Sequence, residues 1–267
     1  MYAATVHGVR KSTDGGLSWV PTGYTYQADT VAVAFSDPNV VYASEGDVWK
    51  STNGGDTWTQ IKSQAGAEAY IGLAVSPVDA NLVLAGTFRS TDGGDTWSPN
   101  GLTGYIRKIM FTDANTVYAS NYSQGLFKST DAGVNWTLIA TQGVNGFGGQ
   151  CGVPYFDVDK SNPDHIVAAA YGLVHYTFDG GAHWISSGFS GYYIAIDPSN
   201  PNVVYASNYA YGISRSINGG VSFQTFSTGL IQSNYYAVLV NPSGRAYAAS
   251  SDAGPLTLPG VVFRTNN

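Results

Sequence analysis

A glycine-centred octapeptide recurs six times along this chain of 267 residues and constrains its fold more than any other feature. Each copy begins with Ser or Thr, has Asp or Asn third and Gly fifth, and ends on an aromatic residue. The copies span residues 12–19, 51–58, 90–97, 129–136, 177–184 and 216–223. Their closing aromatics stand 39, 39, 39, 48 and 39 residues apart, so the chain consists of repeated units of similar length.

One of these units, residues 30–61, shows which local structure the repeat predicts. Four short runs suited to strands alternate with turn sequences, at residues 30–35, 40–44, 48–51 and 57–61. The octapeptide connects the third run to the fourth as a hairpin. Four strands in each unit are the content of one blade, so we predict an all-β fold, a β-propeller of four-stranded blades.

The octapeptide itself suits a structural role in that hairpin. An Asp or Asn side chain can accept hydrogen bonds from turn N–H groups, and the second glycine can take a positive φ. Since a catalytic residue is rarely needed six times, we assign the third position to turn structure. The residues concerned are Asp14, Asn53, Asp92, Asp131, Asp179 and Asn218.

The octapeptides resemble the Asp-box, or BNR, repeat, whose form is Ser/Thr-x-Asp-x-Gly-x-x-Trp. The resemblance covers nearly the whole chain and implies a β-propeller, but the families that share it differ in function. They include sialidases, xyloglucan-cleaving glycoside hydrolases, sortilin-like receptors and a photosystem II assembly factor. The sequence Asp-Pro-Ser-Asn-Pro-Asn-Val-Val-Tyr-Ala-Ser at 197–207, echoed at 37–44, is most similar to xyloglucanase-type repeats.

The units predict a single propeller domain over residues 1–267. The first blade (1–22) is expected to lack its inner strand, and the last blade (235–267) to lack its outer strand. Seven blades are the first expectation. The alternative is six blades, in which the last inner strand completes the first blade.

One face of such a propeller is predicted to bind a ligand, namely the face opposite the octapeptide hairpins. Its connections are rich in aromatic residues and contain the two longest departures from the repeat, at 141–152 and 250–260. The candidate ligand-binding residues there are Tyr24, Tyr70, Tyr105, Tyr122, Phe147, Tyr192, Tyr209, Tyr211, Glu45 and Asp47. Asn121, Asn145 and Asn208 are expected to assist them. For each tyrosine, packing between blades remains the alternative.

Some other polar residues depart from the repeat. Asp29, Glu45, Asp47 and Glu68 all fall around the second blade and could cluster, with a solvated acidic patch and a pair of hydrolytic carboxylates as the two interpretations. Asp157 replaces a small residue on an inner strand, where either a buried partner or a channel-facing role is open. No histidine spacing suits a metal, and the single cysteine excludes an intrachain disulfide, so we predict neither metal nor cofactor.

Charge and composition limit the classes of partner that the protein can have. A net charge of −6 argues against nucleic acid as a partner, and no apolar run is long enough to span a membrane. The low charge content suggests a secreted, extracellular protein, although no signal peptide precedes the first strand. We expect recognition of an extended neutral polysaccharide or oligosaccharide by the aromatic face.

Two alternatives stay open. One is a protein-interaction or assembly propeller, and the other is a xyloglucanase-like glycoside hydrolase or half of one. Xyloglucanase-type enzymes pair two propellers, each contributing a catalytic Asp, so the resemblance implies only half of such a site here. The Arg-Ile-Pro signature of sialidases is absent. We therefore assign no catalytic residue and leave enzymatic activity uncertain.

Overall fold

The structure, a computed structural model, describes residues 1–63, 71–140, 155–170, 172–208, 212–226, 235–250 and 262–264. Within these ranges the regular structure is entirely β, with 26 strands in seven antiparallel sheets. None of the described segments forms a helix capable of crossing a membrane. The chain divides into two compact units, Met1–Leu138 and Ile139–Asn267.

The first unit contains the first three sheets and most of the fourth. The first sheet comprises β1 (Tyr2–Thr5), β2 (Gly8–Lys11) and β3 (Val20–Pro21). The second comprises β4 (Thr30–Val33), β5 (Val41–Glu45), β6 (Asp47–Ser51) and β7 (Thr59–Lys62). The third comprises β8 (Leu73–Val75), β9 (Val83–Ala85), β10 (Phe88–Ser90) and β11 (Ser98–Pro99). The fourth comprises β12 (Ile106–Phe111), β13 (Val117–Asn121), β14 (Gly125–Ser129) and β15 (Thr137–Ala140).

The second unit contains the remaining three sheets. The fifth comprises β16 (Tyr155–Val158), β17 (Ile166–Ala170), β18 (Leu173–Thr177) and β19 (Ile185–Ser190). The sixth comprises β20 (Ile194–Ile196), β21 (Val204–Asn208), β22 (Gly212–Ser216) and β23 (Gln224–Thr225). The seventh comprises β24 (Tyr235–Val240), β25 (Ala246–Ser250) and β26 (Val262–Arg264). In every sheet, strands that are neighbours in sequence are hydrogen-bonded neighbours.

The hydrophobic core lies between consecutive sheets of a unit. Leu84 of the third sheet packs with Ile106 and Val117 of the fourth, and all three are fully buried. In the second unit, Val167 and Val174 of the fifth sheet pack with Val204 of the sixth. The second strands of the fourth, fifth and sixth sheets (β13, β17 and β21) are buried along their whole length.

The first and third side chains of the octapeptides make one hydrogen-bond pattern in all six hairpins, shown by the third copy, while the tryptophan bond of that copy recurs only in the second. Ser90 Oγ donates to Asp92 Oδ1 at 2.7 Å and accepts the N–H of Gly94 at 2.8 Å. Asp92 Oδ1 in turn accepts the N–H of Thr96 at 2.9 Å, and Trp97 Nε1 donates to the carbonyl of Gly94. The hairpin thus satisfies its own turn groups.

The third residue of every copy accepts the N–H of the seventh. These pairs are Asp14–Ser18, Asn53–Thr57, Asp92–Thr96, Asp131–Asn135, Asp179–His183 and Asn218–Ser222. Hydrogen bonds from the Asn135 backbone and side chain lower the pKa of Asp131 to about 2. The Thr96 hydroxyl and N–H, with Ser90, hold the pKa of Asp92 well below its usual range. These carboxylates are ionised hydrogen-bond acceptors of the turn.

A second repeated contact joins a sheet to the hairpin of the next sheet at four places in the described residues, and we call it the latch. In the first unit, Lys11 Nζ donates to the Gly54 carbonyl at 3.0 Å and Lys50 Nζ to the Gly93 carbonyl at 2.9 Å. Arg89 Nε donates to the Ala132 carbonyl at 3.1 Å.

In the second unit, His165 Nε2 lies 3.0 Å from the carbonyl of Gly219 and takes the corresponding place. Lys11, Lys50 and Arg89, each of which directly precedes an octapeptide, thus bind backbone oxygens of the neighbouring sheet. Their charged groups therefore connect neighbouring sheets.

Candidate functional site

Three exposed tyrosines mark one edge of the first unit, where inner strands begin and second strands end. Tyr26 precedes β4, Tyr105 precedes β12 and Tyr122 follows β13, with 59%, 46% and 52% of their surfaces exposed. We call these three residues the tyrosine edge. Tyr105 and Tyr122 were expected from the sequence to contact a ligand, and the structure leaves both rings accessible to one.

Backbone contacts hold two of these tyrosines side by side. The Tyr122 N–H donates to the Tyr105 carbonyl at 2.9 Å. Asn121, which is fully buried, donates from Nδ2 to the Thr103 carbonyl and accepts the N–H of Ser123, so the turn bearing Tyr122 is fixed. This burial corrects the expectation that Asn121 would bind ligand. Asn208 in the second unit is likewise buried and donates to the Ser190 carbonyl.

An arginine lies beside this pair because of a β-bulge. The register of β12 against β13 shifts between Ile106 and Lys108, which makes Arg107 the extra residue. A bulge of this kind re-aims a side chain, and the Arg107 guanidinium lies 5.4 Å from the centre of the Tyr122 ring. A cationic hydrogen-bond donor therefore lies next to one exposed ring of the tyrosine edge.

Tyr24, another predicted ligand contact, is instead a packing residue. Only 3% of its surface is exposed, and its ring meets those of Trp49 and Trp58 edge to face, at 5.8 Å and 5.2 Å. Its hydroxyl donates to the Gln27 carbonyl. The exposed ring at this place is Tyr26, which stacks on Trp49 with centroids 5.1 Å apart.

Three of the four acids around the second blade lie near Tyr24. Burial raises the pKa of Tyr24 to about 12, and the charges of Glu45, Asp47 and Asp29 add to this effect. Glu45 and Asp47 flank the tight turn between β5 and β6, and Asp47 accepts a hydrogen bond from Gln60. The fourth acid, Glu68, lies outside the described residues.

Asp29 is half-buried. Its N–H donates to the Ser44 carbonyl, and Gln27 Nε2 approaches its Oδ1 at 3.4 Å. Burial is the main cause that raises the pKa of Asp29, with Glu45 acting in the same direction and Gln27 and Arg107 opposing it. This carboxyl therefore keeps its proton to a higher pH than an ordinary aspartate.

In the second unit, Tyr155 and Tyr193 are in contact, and the sequence analysis did not predict this contact. The rings of Tyr155 and Tyr193 have centroids 4.0 Å apart, and their hydroxyls are 3.0 Å apart. Tyr192, a predicted ligand contact, is half-buried over Gly172.

Asp157 has a protein partner. Its Oδ2 accepts the N–H of Ile196 at 2.8 Å, which ties β16 to β20. Of the two roles left open by the sequence, the structure therefore supports that of a residue bound to a backbone partner. The remaining predicted contacts, Tyr70, Phe147, Tyr209 and Tyr211, lie outside the described residues, as does Asn145.

The chemistry available at the tyrosine edge is stacking and hydrogen bonding. Exposed phenol rings offer flat apolar faces with a polar tip, while Glu45 and Arg107 supply an acceptor and a donor. In the described ranges, no group of three His, Cys, Asp or Glu side chains could hold a metal ion. The edge is suited to a hydroxyl-rich ligand with flat apolar faces.

Comparison with known proteins agrees with the repeat and the sheets. The family model of the BNR/Asp-box repeat matches residues 88–99, which include the third octapeptide. The chain superimposes on an ancestral GH74 enzyme with a TM-score of 0.69 at 21% identity, over 93% of this chain and 37% of that one. No curated protein sequence matches.

Two further structures show the range of proteins with this fold. The GH74 xyloglucanase from Xanthomonas campestris gives a TM-score of 0.71 at 17% identity, over 98% of this chain and 52% of that one. YCF48 from Cyanidioschyzon merolae gives 0.60 at 16% identity, over 88% and 80%.

The chain thus spans about a third and about a half of the lengths of the two GH74 proteins, and at these identities the likeness concerns the fold. Four-stranded antiparallel sheets, repeated octapeptides and these neighbours agree with one another. The chain is an all-β protein of the β-propeller fold with one repeat that matches the BNR/Asp-box model, and its fold is similar to that of xyloglucanase-type propellers.

Proposed function

We propose that this chain is a secreted carbohydrate-recognising propeller that binds an extended neutral glycan along the tyrosine edge. The observation that carries the proposal is the exposure of Tyr26, Tyr105 and Tyr122 at one edge of the first unit. Sugar rings present C–H faces that stack on phenol rings, and their hydroxyls pair with polar groups at the rim. Tyr105 and Tyr122 are held in place beforehand, which reduces the entropy lost on binding.

The charges at this edge favour a neutral ligand. Asp29, Glu45 and Asp47 lie close to Tyr24 and hence to Tyr26, with which Tyr24 is in ring contact. Arg107 is the cation that acts on Asp29. An anionic polysaccharide would meet this negative charge and be repelled.

The experiment is a binding assay on immobilised and soluble polysaccharides, with xyloglucan and unbranched β-glucans as neutral probes and a polyuronate as the anionic probe. We expect retention on at least one neutral glycan and none on the polyuronate. Tyr122→Phe keeps the ring and should bind like the parent, whereas Tyr122→Ala should bind about tenfold more weakly, or roughly 1.4 kcal/mol. Equal binding by both variants would exclude the tyrosine edge, and a protein-interaction role would then be the better proposal.

Glycoside hydrolysis is the second candidate function, and Asp29 is the observation in its favour. A general acid needs a carboxyl that stays protonated near the working pH. Asp29 is partly buried and has a raised pKa, and the carboxyl of Glu45 acts on it as the other member of a carboxyl pair. Release of reducing ends from a bound glycan, lost in Asp29→Asn, would establish hydrolysis. Binding without release would leave recognition as the function.

A further inference from the structure

The rings of Tyr155 and Tyr193 lie closer together and more nearly parallel than the rings of Tyr24 and Tyr26. Tyr155 begins β16, and Tyr193 directly precedes β20, so the two residues stand at the same end of adjacent inner strands. Their ring planes are tilted by 36°, with centroids 4.0 Å apart and hydroxyl oxygens 3.0 Å apart. Both rings are only partly buried, so each has a part that is open to solvent.

The backbone fixes these two rings relative to each other. Tyr155 pairs with Ala169 in the β16–β17 ladder, while Tyr193 exchanges contacts with Ser207 through both its N–H and its carbonyl. Two residues beyond Tyr155, Asp157 Oδ2 accepts the N–H of Ile196 and joins the same two strands. The rings are therefore close because the strands are joined, and their approach requires no further ordering.

We propose that Tyr155 and Tyr193 are a modification site at which a one-electron oxidant forms a dityrosine cross-link between β16 and β20. In each ring the two Cε carbons flank the carbon that bears the hydroxyl. Hydroxyls 3.0 Å apart on rings 4.0 Å apart therefore bring a Cε carbon of one ring close to a Cε carbon of the other.

The step balances with hydrogen peroxide as the oxidant and a haem peroxidase as its activator. Each phenol gives up one electron and its hydroxyl proton and becomes a phenoxyl radical. The two radicals couple through a new Cε–Cε bond, and the hydrogen on each coupled carbon moves to the phenol oxygen to restore the aromatic ring. The two electrons and two protons reduce one hydrogen peroxide to two molecules of water.

The link would supply a covalent tie that this sequence cannot make with disulfides. The chain has one cysteine, so an intrachain disulfide is excluded. Dityrosine would close a loop between residues 38 positions apart and restrict the unfolded chain, as other cross-links do. We expect the oxidised protein to melt at a higher temperature than the untreated protein.

The experiment treats the full chain, at low protein concentration, with peroxidase and a limiting amount of hydrogen peroxide. The expected results are blue dityrosine fluorescence, a monomer lighter by two hydrogen atoms, and a cross-linked peptide pair containing Tyr155 and Tyr193. Tyr155→Phe removes one phenol and keeps the ring packing, so both fluorescence and mass change should disappear. Tyr192→Phe is the matched control, and its yield should equal that of the parent.

Other outcomes would overturn the proposal. A cross-link that forms equally in Tyr155→Phe, or one found only between molecules, would show that this ring pair does not direct the reaction. A link between Tyr24 and Tyr26 would do the same, because those rings meet edge to face at 75° with centroids 5.8 Å apart. Loss of the parent's secondary structure during oxidation, checked by circular dichroism, would also count against it.

Discussion

The rings of Tyr24 and Tyr26 meet edge to face at 5.8 Å, although one is buried and the other exposed. Tyr24 fills the space above Trp49 and Trp58, and Tyr26 lies over Trp49 at the surface. Two tyrosines separated by one residue thus have different tasks. Tyr24 supports the aromatic cluster from within, and Tyr26 is the ring of that cluster that is accessible to a ligand.

This division predicts opposite effects of two alanine substitutions. Tyr24→Ala removes a buried aromatic side chain and should lower the free energy of unfolding by about 3 kcal/mol. Tyr26→Ala should change stability by less than about 1 kcal/mol and weaken glycan binding instead. Urea unfolding and a binding assay on both variants provide the check. Equal loss of stability in the two would contradict the division between a supporting ring and a contact ring.

A second prediction concerns the latch between the second and third sheets. Lys50→Met removes the ammonium donor from the Gly93 carbonyl but keeps most of the side chain's apolar length, and should cost roughly 1–2 kcal/mol. Lys50→Arg should restore most of that loss, because Arg89 makes the same kind of contact with the Ala132 carbonyl. Urea midpoints measure both effects. If Lys50→Met were as stable as the parent, the latch would contribute nothing to folding.

Ala132 gives a third prediction, because it is the described non-glycine residue with a positive φ, at 58°. It occupies the fourth octapeptide position, where the other copies have glycine at φ between 69° and 75°. Ala132→Gly relieves the strain of an alanine in the left-handed region, which stabilises the folded state. It also gives the unfolded chain more conformational freedom, which offsets part of that gain. The net effect should be a free energy of unfolding higher by about 0.5–1 kcal/mol.

The matched variant for this prediction is Gly93→Ala. It introduces the same strain, and its Cβ would lie 2.6 Å from Lys50 Nζ. It should therefore destabilise the protein, and thermal unfolding of both variants checks the signs. A less stable Ala132→Gly would mean that the strain inferred from φ is absent.

The octapeptide carboxylates predict a specific response to acid. The pKa of Asp92 in the folded protein lies well below the ordinary 3.8, chiefly because of the Thr96 hydroxyl. Stability from this group is thus present above the unfolded pKa and is lost as the pH falls from about 4 through the folded value. Asp14, Asp131 and Asp179 act in the same direction.

Asp92→Asn isolates this effect, because Asn53 makes the equivalent contact with Thr57 without a charge. At neutral pH the variant should be less stable than the parent, and the difference should shrink near pH 2. Urea midpoints at the two pH values test this. A difference that stays constant would show that the charge of Asp92 is not involved.

Much of the fold could be predicted from the sequence because the octapeptide recurs six times and each copy predicts a hairpin between two strands. Strand β6 was expected at 48–51 and observed at Asp47–Ser51, while the next strand begins at Thr59 and not at 57. The difference arises because Thr57 and Trp58 still belong to the hairpin, where the Thr57 N–H bonds Asn53 and Trp58 Nε1 bonds Gly55. Local hydrogen bonds of this kind extend a turn without changing its sequence signature.

The candidate site was harder to predict. Tyr24 and Tyr26 lie in a connection without strand alternation, so no periodicity shows which ring is covered by Trp58. Asn121 suggested a ligand contact by its position beside Tyr122, but its amide is used by the Thr103 carbonyl. The approach of Tyr155 to Tyr193 depends on packing between sheets, and sequence spacing carries no information about it. The sequence of a repeat therefore predicts contacts within that repeat far better than contacts between neighbouring repeats.

The latch has a consequence for how such a chain could grow. Each repeat of the first unit carries both halves of the contact, since the second sheet offers Gly54 to Lys11 and presents Lys50 to Gly93. The third sheet does the same with Gly93 and Arg89. A duplicated repeat inserted between them would find a donor on one side and an acceptor on the other without any new mutation. Lengthening by gene duplication thus needs no coevolution of partner residues at these junctions.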